Sequence, residues 1–186
     1  MISNYTGISG SRVAYFAAAE LRQQHKLLIV VSGGRVAERL KEDLAFFAPK
    51  ARIEVMPEDS ARFLYEAKDR QTLINRIRGM QALLDESDED IAVIAPVSAV
   101  LRPVVKAERF KSSILKLELG QVVDTVELKN MLVNAGYENV AVTDSVGEFT
   151  SRGGIIDVFT PSYPNPLRIE FFGDEVDSIR QYDKDS

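Results

Sequence analysis

Residues 27–56 read LLIVVSGGRVAERLKEDLAFFAPKARIEVM, and this stretch decides the fold class. LLIVV (27–31) and RIEVM (52–56) are apolar runs of strand length, and between them RVAERLKEDLAFF (35–47) repeats its apolar residues at helical spacing. Downstream the alternation continues with TLINRIRGMQALL (72–84) and IAVIA (91–95). The order is βαβαβ, which predicts a parallel sheet with helices on its faces. In the helix 72–84, Leu73, Ile77, Met80 and Leu84 fall at three- and four-residue spacing and are expected to form the stripe that meets the sheet.

After Pro103 the pattern changes. SILKLEL (113–119) alternates like a strand, and TVELKNMLVNAGY (125–137) is an amphipathic helix closed by Gly136. The remainder reads as strands: NVAVTDS, GEFTSRG, GIIDVFT, LRIEFF and EVDSIRQY. Gly173-Asp174 suits a two-residue hairpin loop with glycine in its first place. The expectation is an α/β parallel-sheet domain over 1–112 followed by a smaller α+β domain, 113–186, with a mostly antiparallel sheet.

Of the 186 residues 45% are hydrophobic and 27% charged, an ordinary balance for a soluble globular protein. No apolar run approaches a membrane span, and the first residues lack the layout of a signal peptide, so a cytoplasmic protein with no membrane contact is expected. The absence of cysteine excludes disulfides and thiolate metal sites; one histidine, His25, cannot build a zinc site alone. Charge is unevenly spread. Residues 1–112 carry 17 Lys and Arg against 15 Asp and Glu, whereas 113–186 carry 6 against 13. An acidic second domain is poorly suited to gripping phosphate backbones and better suited to a protein partner.

The turn TGISGSRVA (6–14) raises the question of a phosphate loop, whose spacing is G-x-x-x-x-G-K-[ST]. Counting from Gly7, the glycine, lysine and hydroxyl slots fall on Arg12, Val13 and Ala14, and Gly10 stands inside the loop. All three slots are wrong, so no nucleotide is expected here. DESDED (85–90) precedes a strand, whereas a Walker-B aspartate ends one, and it reads as a solvated loop. His25 reads as an exposed end-of-helix residue. Arg62, Lys68, Arg70, Arg76 and Arg78 form a modest basic cluster, for which solvated helix arginines are the commoner explanation.

Strand parity picks out a face of the second domain. In LRIEFF, Leu167, Ile169 and Phe171 share one side, the core, while Arg168, Glu170 and Phe172 share the other. Extending the hairpin sets Phe172 opposite Glu175, Glu170 opposite Asp177 and Arg168 opposite Ile179. The facing acids would repel unless a cation lies near. In GEFTSRGG the same parity exposes Arg152, ahead of a sharp turn at Gly153-Gly154. Asp157 reads as a local hydrogen-bonding residue. Arginine beside an exposed aromatic is the composition of interface hot spots. A covering layer of the same protein would also explain Phe172, and the residues alone leave both readings open.

GEFTSRGGIIDVF (147–159) followed by PLRIEFFGDEVDSIRQYD (166–183) resembles the domain-2 signature shared by the excision-repair protein UvrB and the transcription-repair coupling factor Mfd. The likeness extends through IAVIAPVSAVL, the LELGQ turn and NAGYENV. It implies that the first domain is a RecA-like half with a degenerate P-loop. Between Met56 and Gln71 stands only PEDSARFLYEAKDR, with Phe63 and Tyr65 as its aromatics, where UvrB carries an aromatic-rich DNA-clamping hairpin. The resemblance is therefore nearer to the UvrB-like module of the coupling factors.

That resemblance implies a non-catalytic module that recruits UvrA by mimicking UvrB, with Arg152, Arg168 and Phe172 as the contact residues. It also implies no cofactor for this piece, ATP and magnesium being expected only in motor domains beyond it. RNA polymerase and DNA would be engaged through those further domains, and a C-terminal domain of the parent protein would mask the UvrA surface. Two rivals stand beside it: an NTP-dependent repair enzyme of UvrB type, and an internal regulatory packing module.

Overall fold

The first unit runs α1 (Arg12–Gln24), β1 (Lys26–Val31), α2 (Gly34–Phe47), β2 (Arg52–Val55), α3 (Lys68–Leu84), β3 (Ile91–Pro96) and the single-turn α4 (Val97–Val100). The second runs α5 (Ala107–Ser112), α6 (Thr125–Asn134), β4 (Glu138–Asn139), β5 (Glu148–Arg152), β6 (Ile155–Val158), β7 (Leu167–Phe172) and β8 (Glu175–Gln181). These come from a computed structural model that describes residues 6–58 and 68–183. The two compact units are Met1–Val105 and Lys106–Ser186.

In the first unit β3 lies between β1 and β2, parallel to both, so the three strands predicted from the apolar runs form one parallel sheet. Every residue of β3 is buried, as a central strand covered on both faces requires. Its alternation splits the core in two. Ala92 and Ile94 meet Ala14, Ala18 and Leu21 of α1 and Ala37, Leu40 and Leu44 of α2. Ile91, Val93 and Ala95 meet Met56, Ala82 and Ala99 on the opposite side.

The expected stripe on α3 is corrected in part: Met80 packs where expected, but Leu73 does not. Ile74 and Ala82 are buried, with Met80 and Leu83 packed beside them, and Leu73 is exposed. Gly79 explains the rotation. A Cβ there would stand 2.9 Å from Cγ of Met56, so the helix turns its side-chain-free position toward β2 and approaches closely.

Local polar groups close the ends of these elements. His25 caps α1 in the left-handed region (φ 58°), its N–H donating to Leu21 O at 2.8 Å. Its Nδ1 lies 2.8 Å from Asp90 Oδ1, so the end of the DESDED loop is tied back to the start of β1. At the other end of that loop, Asp85 accepts from the Ser87 N–H and from Arg52, and its carbonyl accepts from Lys26. The hydrogen bonds from Ser87, helped by Arg52 and Lys26, hold its carboxyl below the usual aspartate range. Only the middle of the loop is fully exposed. At the N-terminus of α2, where Gly33 offers no side-chain cap, Glu58 Oε2 accepts the Gly34 N–H at 3.0 Å and places negative charge at the positive end of the helix.

The second unit is a five-stranded sheet in the order β4-β5-β6-β7-β8, parallel between β4 and β5 and antiparallel elsewhere. One face is packed: Leu128 and Leu132 of α6 meet Phe149, Ile156, Val158, Ile169 and Val176. Asp124 caps α6, its Oδ1 accepting from Val126 N at 2.7 Å and Glu127 N at 3.2 Å. Beyond the last turn Gly136 takes φ 88°, the left-handed residue expected there.

Two expected strands are corrected. Residues 113–119 do not form one: Ser113 and Ile114 extend the last turn of α5, and Leu115 and Leu119 are exposed. The chain reaches the sheet edge only at 120–123, where Gly120 N–H donates to Val176 O, Val123 N–H donates to Asp174 O and Val122 bridges Glu175. NVAVTDS contributes only Asn139 to β4. Past Val140 its polar groups turn to side chains, Ala141 O accepting from Arg152 and Thr143 Oγ1 donating to Asp157 O.

Candidate protein-docking face

Two tight turns set the site at one end of the second sheet. β5 and β6 pair Arg152 with Ile155 across the loop Gly153-Gly154, with Gly153 at φ 58°. Gly154 is where glycine is indispensable: a Cβ there would lie 2.7 Å from Phe171 O, while Phe171 N–H donates to Gly154 O at 2.7 Å. The β7–β8 turn places Gly173 at φ 64°, and Asp174 is not in the positive region, the backbone signature of a type II′ hairpin. Close approach of the first turn therefore seats the residues next to Phe172.

Strand pairing then lays out the outer face in rows. Thr150, Asp157, Arg168 and Arg180 stand opposite one another across β5 to β8. The next row is Arg152, Ile155, Glu170 and Ser178. At the end of the sheet Phe172 pairs with Glu175, which bridges Val122.

The expected register is corrected beyond the hairpin turn. Phe172 faces Glu175 as predicted, but a bulge between Glu170 and Phe171 on the β7 side leaves Asp177 as an extra residue of β8. Glu170 therefore faces Ser178, not Asp177, and Arg168 faces Arg180, not Ile179. Ile179 moves to the core face beside Ile169, because one inserted residue inverts the parity of everything beyond it.

The bulge removes the acid–acid opposition that the regular register would impose. Glu170 accepts from Ser178 Oγ at 2.8 Å and from Arg180 Nη1 and Nη2 at 3.1 and 2.5 Å. The Ser178 hydroxyl and then the Arg180 guanidinium hold the Glu170 carboxyl below its ordinary range. Arg168 is bound along one edge of its guanidinium, Nε to Asp157 Oδ1 at 2.7 Å and Nη2 to Asp157 Oδ2 at 2.8 Å. One face of the group lies over the Tyr182 ring, with Cζ 4.9 Å from the centroid. Asp157 is only 7% exposed, and its hydrogen-bonding role is the one its sequence position suggests.

Arg152 donates from Nη2 to Ala141 O at 2.8 Å, and among the described residues no carboxylate pairs with it. Phe172 is 85% exposed. The structure thus brings Arg152, Arg168 and Phe172 onto one face of one sheet. Arg168 and Phe172 are four residues apart on β7, roughly 13 Å, and Arg152 lies two strands from β7, roughly 10 Å. Tyr182 and Val122 were not picked out by sequence reasoning. Tyr182 shares the parity of Ser178 and Arg180, a signal legible only once the bulge is known, and Val122 depends on a non-local bridge.

The turn residues of the first unit stand apart from this face in the sequence and in their chemistry. Gly7 and Gly10 take φ 73° and 60°, Val13 N–H donates to Gly10 O, Arg12 is exposed, and Ala14, in the hydroxyl slot, is a fully buried methyl between α1 and α2. In the basic cluster Arg76 Nη2 donates to Pro103 O at 3.3 Å. Arg62, Phe63 and Tyr65 lie outside the described residues, as do the side chains of Lys68 and Arg70.

Residues 115–186 match the family model of the UvrB interaction domain. Over 180 residues, 96% of this chain, the sequence is 31% identical to the transcription-repair-coupling factors of Staphylococcus haemolyticus (strain JCSC1435) and Staphylococcus aureus (strain USA300). The same identity and coverage hold for that of Staphylococcus epidermidis (strain ATCC 12228 / FDA PCI 1200). The chain spans 15% of the length of each of these relatives. The outer face of β5 to β8 therefore lies within the region that matches the UvrB interaction domain, in a chain similar over nearly its whole length to part of the transcription-repair-coupling factors.

Proposed function

We propose that this chain is a non-catalytic recruitment module that binds UvrA by mimicking UvrB, linking stalled RNA polymerase to nucleotide excision repair. The observation that carries the proposal is the exposed Phe172, on the same sheet face as Arg152 and Arg168, within the matched domain. A large aromatic standing in water beside guanidinium groups gives contact area and directional hydrogen bonds at modest ordering cost. The first unit acts as a scaffold of RecA-like descent whose phosphate loop has lapsed, because a buried alanine methyl stands where a hydroxyl would reach magnesium. RNA polymerase and DNA are engaged by other parts of the longer protein, and a C-terminal domain there masks the UvrA-binding face.

Binding of purified UvrA to the chain and to its Arg152→Ala, Arg168→Ala and Phe172→Ala variants tests the site. Phe172→Ala is expected to cost about 2 kcal/mol of binding free energy while leaving the unfolding midpoint unchanged. Equal affinity for all four proteins would reject it. Calorimetric titration with ATP is expected to show no heat; saturable binding in the micromolar range would favour a UvrB-type nucleotide-dependent enzyme.

A further inference from the structure

Arg168 is half committed. Asp157 occupies Nε and one hydrogen of Nη2, which leaves both Nη1 hydrogens and the second Nη2 hydrogen, the terminal edge of the guanidinium. Among the described residues nothing accepts from that edge. Tyr182 covers one face of the group, and Asp157 is itself held in β6, buried and opposite Arg168 across the β6–β7 ladder. A long arginine side chain on a free surface samples many rotamers, and binding must then order it. Here the ordering is already done in the unbound chain.

We infer that Asp157 is a positioning residue for recognition: with Tyr182 it holds Arg168 so that its terminal Nη1/Nη2 edge meets a carboxylate of the partner side by side. The inference rests on the proposed UvrA-binding role of this face and names its chemistry. A carboxylate fits because two parallel N–H donors match its two oxygens. Arg152, tied through Nη2 to a backbone carbonyl alone, lacks such a buried anionic brace, so the two arginines differ in kind. Arg168 is the preorganised one.

UvrA affinity measured for the unsubstituted chain, Asp157→Asn, Arg168→Ala and the double variant tests this. Arg168→Ala is expected to weaken binding roughly thirtyfold, Asp157→Asn roughly tenfold, and the double variant no more than Arg168→Ala. The Nε–H of Arg168 is expected to exchange slowly with water in the unsubstituted chain and rapidly in Asp157→Asn, with the amide spectrum still dispersed. Losses that multiply in the double variant would overturn the inference, because Asp157 would then act independently of Arg168. So would unchanged or tighter binding by Asp157→Asn while Arg168→Ala is weak, and this would leave the UvrA reading standing. Fast exchange of that Nε–H in the unsubstituted chain would overturn it even if Asp157→Asn failed to fold. Equal binding by Arg168→Ala and the unsubstituted chain would remove the UvrA role of Arg168 along with its positioning.

Discussion

The two sheets of this protein solve opposite problems. In the first, β3 is buried on both faces, and its alternate side chains feed two separate cores. In the second, β7 buries Ile169 under α6 while Arg168, Glu170 and Phe172 line the other face. A sheet covered on both sides can only be a scaffold along its centre, whereas one whose second face is covered only in part, here over Thr150 and Asp157, keeps the rest of that face rigid and open to a partner. The first sheet is not closed everywhere: on β1, Leu28 and Val30 are 49% and 50% exposed. Those two residues are aliphatic and offer no hydrogen-bonding side chain of their own. The open face of the second sheet mixes guanidinium, carboxylate and aromatic groups in fixed rows.

Truncation along the strands breaks this contrast most sharply. Phe149→Ala, at a site 1% exposed, is expected to cost about 3–5 kcal/mol, and Ile94→Ala in β3 and Ile169→Ala in β7 about 2–5 kcal/mol each. Phe172→Ala is expected to stay within about 0.5 kcal/mol. Urea unfolding of the four variants reads this directly. A large loss at Phe172 would mean that its ring packs inward and that the face is not open.

A smaller effect is expected from Gly154→Ala. The added methyl would meet Phe171 O, and either the β5–β6 turn or the end of β7 must move, at a cost of about 1–3 kcal/mol. Because the turn seats Phe171, the proposed UvrA binding should weaken as well, although Gly154 itself offers no side chain to a partner. Stability and affinity measured on this one variant check whether the turn positions the docking face. Lost stability with full affinity would show that the two are uncoupled.

The smallest effect is electrostatic and concerns one carboxylate in each unit. Glu170 and Asp85 both titrate below their ordinary ranges in the folded chain. Each therefore contributes stability that is present above the unfolded carboxylate range and is lost as pH falls from about 5 through the lower folded value. Glu170→Gln should flatten the acid limb of the stability profile in the second unit, and Asp85→Asn that in the first. Unfolding midpoints between about pH 3 and 7 check this. A variant with the same acid slope as the unsubstituted chain would remove its carboxylate from the account.

Much of this was legible in the residues because it depends on local periodicity. The parallel strands, the helix read at 35–47, the helix that Gly136 closes and the core side of LRIEFF all follow from spacing and turn chemistry. So do the exposure of Arg152 and the left-handed glycines at 136 and 173. The face of α3 was misjudged because Gly79 has no hydropathy signal, yet its lack of a side chain sets how the helix meets Met56. The strand expected at 113–119 has a strand's pattern but no partner, since residues 120–123 occupy the edge of β8.

By itself the sequence determined which residues share a face in LRIEFF and in GEFTSRGG, the two-part organisation, and the absence of phosphate-loop spacing at 7–14. All of these are properties of neighbours within a few residues. Only the tertiary structure decided what lies across from what. The extra residue Asp177 turns Ile179 inward, gives Glu170 to Arg180 and Ser178, and brings Tyr182 within reach of Arg168. A strand's side chains repeat with period two whatever it pairs with, so alternation cannot reveal a bulge. The partner strand's hydrogen bonds reveal it, and they are made at a distance along the chain.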